Sequence, residues 1–134
     1  MKLHVARLTD GQDLRQSIIA FAQSVGLKSG VIVSAVGSLQ VAVVRMPGAS
    51  PDKQDIRQYD GPFEIVSLTG TIAGDGGVHL HLSVSDTESQ VAGGHLKDGS
   101  LVHTTVELAI LEDETQTFTR AVDPTTGFDE LNVA

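Results

Sequence analysis

Only one stretch of this chain keeps a helical period. Nearly everything else alternates or is β-branched, and short turns cut it into segments. In "DLRQSIIAFAQSVG" (13–26), Leu14, Ile18, Phe21, Ala22 and Val25 recur at helical spacing with polar residues between them. Asp13 suits the helix start, and Gly26 suits its C-terminal cap. The remaining segments read as strands. "KLHVARL" (2–8) alternates and ends at Thr9-Asp10-Gly11, a turn signal. "GVIVSAVGSLQVAVVRM" (30–46) is β-branched and is broken at Gly37-Ser38, giving two strands or one strong bend.

A polar loop with two prolines fills 47–55, and "IRQYD" (56–60) reads as a short strand before Gly61-Pro62 turns the chain. "FEIVSLTGTIAG" (63–74) is the next strand. A hairpin follows, with "VHLHLSVSD" (78–86) and "QVAGGHL" (90–96) flanking Thr87-Glu88-Ser89. "LVHTTVELAILED" (101–113) is a long strand, and "TQTFTRAV" (115–122) closes the set. The reading is one domain over 1–134, with its core over 2–122 and an irregular tail over 123–134. Strands joined by short turns pair antiparallel. The expected class is therefore α+β: a compact, largely antiparallel sheet of about seven to nine strands with one main helix near the N-terminus.

The length of 134 residues suits a single domain. With four Phe, one Tyr and no Trp, the core must be aliphatic. No cysteine is present, which excludes disulfides, thiolate metal sites and a Cys nucleophile. The opening "MKLHVARLTD" lacks the apolar run of a signal peptide, and no segment approaches the ~18–20 apolar residues of a membrane span. A soluble, cytoplasmic protein without a membrane partner is expected. Seventeen acids face nine bases, for a formal charge of -8, and the bases form no run. Nucleic-acid affinity draws heavily on Lys and Arg at phosphates, so DNA or RNA is disfavoured as a partner.

Chemistry concentrates in "GGVHLHLSVSDTESQVAGGHL" (76–96), which carries three of the five histidines. Residues i and i+2 of a strand share a face, so His79 and His81 point the same way, roughly 7 Å apart along the backbone. If Ser85 faces Val91 in the hairpin, Ser83 faces Gly93 and His81 faces His95. Directly opposed residues share a face with Cβ atoms about 4.5–5.5 Å apart. A slip by one residue would separate the three. Three converging imidazoles match a His₃ zinc site with an open fourth position. Imidazole sites also take Ni, Cu, Fe and Co. The spacing leaves an exposed polar hairpin face open as the alternative. Gly93-Gly94 would let a ligand or a neighbouring chain come close.

Outside this stretch, Glu107 interrupts an apolar strand and is a candidate base, fourth ligand or partner to an imidazole, with a solvent-facing position as the alternative. Arg120 is a candidate anion clamp. His103 is a candidate fourth ligand, and His4 reads as a surface or hydrogen-bonded histidine. No nucleophile elbow occurs, and "GDGG" (74–77) is a hairpin turn because no helix follows it.

Taken together, "RLTDGQDL" with its helix, "SAVGSL" (34–39), "FEIVSLTGTI" (63–72), "HLHLSVSD" (79–86), "VAGGHL" (91–96), "TTVEL" (104–108) and "FTRAVDPTTGFDEL" (118–131) resemble the PPC domain, named for plants and prokaryotes. The resemblance covers nearly the whole chain. It implies a homotrimer and a metal, usually zinc, on His79, His81 and His95. It also implies a fold like that of acetolactate decarboxylase. Many relatives carry a DNA-binding label that in plants rests on an AT-hook, and this chain has none.

Three readings follow. The first is a stand-alone, trimeric, metal-binding PPC protein whose partners are its own copies, other proteins or a small-molecule ligand. The second is a metal-dependent lyase or hydrolase acting on a small carboxylate-bearing molecule, with Glu107 and Arg120 as its catalytic residues. A DNA-binding regulator comes third.

Overall fold

The computed structural model describes all residues, Met1–Ala134. Eight strands and one helix run in the order β1 (Lys2–Thr9), α1 (Leu14–Ser24), β2 (Ser29–Arg45), β3 (Ile56–Ala73), β4 (Val78–Ser85), β5 (Val91–Leu96), β6 (Leu101–Glu112), β7 (Phe118–Val122) and β8 (Asp129–Val133). Six strands form one antiparallel sheet in the order β1-β6-β2-β3-β4-β5, and β7 and β8 form a separate hairpin. The end of β2 also pairs with β5, Val44 opposite Leu96 and Arg45 opposite His95. That pairing curls β2, β3, β4 and β5 toward a closed barrel, and it carries Arg45 to the histidine hairpin. No helix is long and apolar enough to cross a membrane.

Helix α1 forms where the periodicity placed it. Asp13 caps its start by accepting from the Gln16 backbone N–H at 2.9 Å. Its other oxygen accepts from the Gly99 N–H at 2.7 Å, tying the helix to the turn before β6. Gly26, at φ 66°, ends the helix. Its N–H donates to the Gln23 carbonyl and that of Leu27 donates to Ala22, which satisfies two carbonyls left over at the helix end. Leu14, Ile18 and Ala22 face a cluster of 20 buried apolar residues drawn from the helix and from all six strands of the sheet.

Two expectations are corrected. Gly61-Pro62 does not reverse the chain: β3 runs through it from Ile56 to Ala73. There β2 carries a bulge between Leu39 and Val41, and the ladder resumes on both sides. Likewise, the region after 122 is not irregular. Asp129–Val133 pairs with β7, Phe118 opposite Val133 and Val122 opposite Asp129. A turn around Asp123 joins them, its carboxylate accepting from the Thr125 and Thr126 N–H groups. Of the two options for 30–46, the bend is what forms. β2 stays one strand, bulged at three places. At Gly37, a Cβ would lie 2.1 Å from the Thr105 carbonyl oxygen.

His4 is the hydrogen-bonded histidine expected as one alternative. Its Nε2 lies 2.7 Å from Oε2 of Glu112, and both residues are buried. Oε1 of Glu112 accepts from the Lys28 N–H at 2.9 Å. Burial pushes this carboxyl's pKa up, but the Lys28 N–H and His4 outweigh it, leaving it below the ordinary 4.5. The folded state therefore holds this proton less tightly than the unfolded chain. The stabilisation is fully present above about pH 4.5 and is lost as pH falls through the lower folded value. Glu112→Gln is expected to destabilise by about 1–3 kcal/mol at pH 7. In urea denaturation the gap from wild type should narrow toward pH 3; a constant gap would contradict the assignment.

Candidate metal centre

The histidine hairpin folds because its turn is built from its own residues. Oδ1 of Asp86 accepts from the Glu88 and Gln90 N–H groups at 2.8 and 2.9 Å, and Ser89 takes φ 62°. The resulting register sets Ser85 opposite Val91, Ser83 opposite Gly93 and His81 opposite His95. The glycine pair makes room for neighbouring strands. A Cβ on Gly93 would sit 2.3 Å from the Leu82 carbonyl oxygen, and one on Gly94 2.6 Å from that of Arg45. β5 can therefore lie between β4 and the end of β2.

His79, His81 and His95 converge. Each offers one nitrogen within 4.8 Å of the others. Nε2 of His79 and Nε2 of His81 are 3.1 Å apart, whereas the ring centroids stand 5.0, 5.0 and 5.7 Å apart. Ligand nitrogens about 2.0–2.1 Å from a tetrahedral ion are themselves roughly 3.3 Å apart, so the observed approach fits one ion. Burial, then the Arg45 charge, lowers the His95 pKa to about 3, and burial followed by His81 lowers that of His79. Both rings are thus neutral at neutral pH, the form that ligates a metal. A cavity of about 370 Å³ opens over the cluster, lined by the three histidines, Arg45, Met46 and Gly94 among others. A metal held by three imidazoles would keep a position for water or another ligand on this side.

The remaining candidates divide. Arg120 does reach the cluster. It lines a second cavity of about 320 Å³ with His79 and His95. Its backbone N–H donates to Asp75 at 2.8 Å and its Nη2 to Thr71 at 2.6 Å. Burial raises the Asp75 carboxyl's pKa less than the Arg120 and Gly77 N–H groups lower it. Glu107 does not reach the cluster. Its neighbours Val106 and Leu108 point into the core, so the alternation of β6 turns Glu107 outward, opposite Arg7 and Val36. His103 is also exposed and elsewhere, 3.6 Å from Asp10. Sequence reading missed Arg45 and Lys97, which line the second cavity. Arg45 lies fifty residues before His95, yet its Nη2 is 3.3 Å from the ring's Nδ1. No local spacing signals that pairing, which only the β2–β5 closure creates.

The family model of the Plants and Prokaryotes Conserved (PCC) domain, the PPC domain of the sequence resemblance, matches residues 1–114. Bifunctional protein GlmU of Synechococcus sp. is 38% identical over 133 residues, covering 99% of this chain and 20% of the relative. The chain thus spans about a fifth of that protein's length. Among solved structures, a hypothetical protein of Salmonella cholerae-suis superposes with a TM-score of 0.91 at 35% identity, over 99% of this chain and 93% of that one. A metal-containing protein of Archaeoglobus fulgidus superposes with a TM-score of 0.83 at 26% identity, over 98% and 94%.

Proposed function

The chain belongs to the Plants and Prokaryotes Conserved domain family, and from that premise we propose that it is a homotrimeric protein binding one zinc ion through His79, His81 and His95. The carrying observation is the meeting of three imidazole nitrogens from two paired strands beneath an open cavity. The metal content of the Archaeoglobus relative agrees with it. An all-imidazole, thiol-free donor set suits zinc and, after it, other borderline divalent metals. Bound zinc would polarise an oxygen ligand or acidify a water there. The acidic balance of the chain speaks against DNA as the partner. A cytoplasmic location fits the thiol-free composition and is part of the proposal. Elemental analysis of purified protein should find about one zinc per chain.

Self-association has its own support. Leu3, Leu111 and Val31 stand opposite one another across β1, β6 and β2, so they share one face of the sheet. That face keeps large apolar side chains exposed, Val5 at 66% and Val36 at 61% among them. β1 is also an open edge of the sheet. A closed threefold ring would cover both edge and face. The wild type should sediment as a trimer at micromolar concentration, and a Val5→Asp, Val31→Asp double variant as a folded monomer. A wild type that is monomeric throughout would refute the assembly.

A further inference from the structure

The bases scattered along the chain are gathered by the fold. Four of the nine, Arg15, Arg45, Lys97 and Arg120, line the cavity beside His79 and His95. Only two of the seventeen acids, Asp129 and Glu130, join them there. In a protein of charge -8 this is a local inversion of sign. Arg15 is neutralised by Asp98 at 2.8 Å, but Arg45, Lys97 and Arg120 make no ion pair.

Arg120 is held in place yet unsatisfied. Thr71 and Asp75 fix its Nη2 and backbone, while its buried Nε has no partner. Gly77 leaves room for its stem, since a Cβ there would lie 2.5 Å from Arg120 Cγ. A buried, unpaired guanidinium N–H is costly to the fold.

Arg45 is poised in the same direction, its guanidinium carbon 5.2 Å from the Phe128 ring centroid. Its Nη2 meets Nδ1 of His95, and because arginine can only donate, Nδ1 must accept. A neutral imidazole has one lone pair. That contact occupies one of the five guanidinium donors, so the others are open to the cavity with or without a metal, and a metal on His95 would release this one as well.

We propose that this cavity binds a small carboxylate-bearing anion, gripped by Arg45 and Arg120 with Lys97 beside them, at the edge of the three-histidine site. The planar fork of arginine matches a carboxylate with two parallel hydrogen bonds. A volume of about 320 Å³ admits a small molecule. The site rests on the metal reading for its neighbour, but its anion grip is present without a metal.

The test is proton–nitrogen NMR of the arginine side chains while malonate is titrated into metal-free protein, repeated after zinc loading. Saturable shifts of the Arg120 and Arg45 Nε signals are expected, with Arg57, which pairs with Asp55 elsewhere, unmoved. Arg120→Gln should weaken malonate about tenfold or more, and Arg45→Gln likewise. Absence of saturable shifts in both forms, or shifts with inorganic phosphate but none with malonate, overturns the proposal. Failure here with zinc still bound leaves the metal site standing. Malonate binding in a protein that takes up no zinc refutes only the metal reading.

Discussion

Replacing His81 with alanine is expected to lower zinc affinity by on the order of 100-fold or more, because loss of an outer-shell partner already costs about 10–100-fold and His81 would be a direct ligand. The fold should not notice. His81 is exposed, its Nε2 meets only that of His79, and its backbone pairings with Thr69 and His95 do not depend on the ring. Metal-free stability is therefore expected within about 0.5 kcal/mol of wild type. Competition titration against a chelator of known affinity, with a thermal melt of the same sample, separates the two effects. Wild-type affinity in the variant would remove His81 from the ligand set.

Gly70→Ala is expected to have the larger effect on the fold and to disable the site without touching a ligand. Gly70 takes φ 145°, and a Cβ there would lie 1.9 Å from the His79 carbonyl oxygen and 2.9 Å from Leu80 Cα. It stands opposite Leu80, a fully buried core residue. The atoms in the way are backbone, so β4 must move as a whole just where His79 is positioned. A loss of at least about 3 kcal/mol is expected, with weakened zinc binding in whatever folds. Gly48→Ala is the comparison, since its φ is 82° but nothing lies within 4 Å of the added carbon. It should cost only about 1 kcal/mol. Urea denaturation of both variants decides. A Gly70→Ala protein within about 1 kcal/mol of wild type and unchanged toward zinc would show that this close approach does not position β4.

The histidine site was legible in the sequence because its determinants are local. Alternation fixes the parity of His79 and His81, and a short Asp86-led turn fixes which residues face each other across the hairpin. The helix was legible for the same reason, since its period and both caps lie within fourteen residues. What escaped was non-local. Gly61-Pro62 carries a turn signature, but β2 bulges beside it and the strand continues. The tail pairs as β8 only because β7 presents a free edge, and its short DELNV run has weak strand character of its own. For Glu107 the sequence left a polar pocket and a solvent-facing position both open, and the alternation of β6 takes the second. Arg45 and Lys97 joined the site through the closure of β2 on β5, which pairs residues about fifty positions apart.

The cation-lined cavity and the histidine cluster share His79, His95 and Arg45, so a ligand in one is felt in the other. Within one chain Glu107 stands apart from both, exposed on β6 opposite Arg7 and Val36.

The most direct measurement is a zinc titration of metal-free protein followed through the imidazole nitrogens of all five histidines. The His79, His81 and His95 signals are expected to change together and to stop changing at one equivalent of zinc per chain, while His4, bound to Glu112, and His103, beside Asp10, stay where they are. Unmoved His79, His81 and His95 signals, or changes that follow His103 instead, would contradict the three-histidine site.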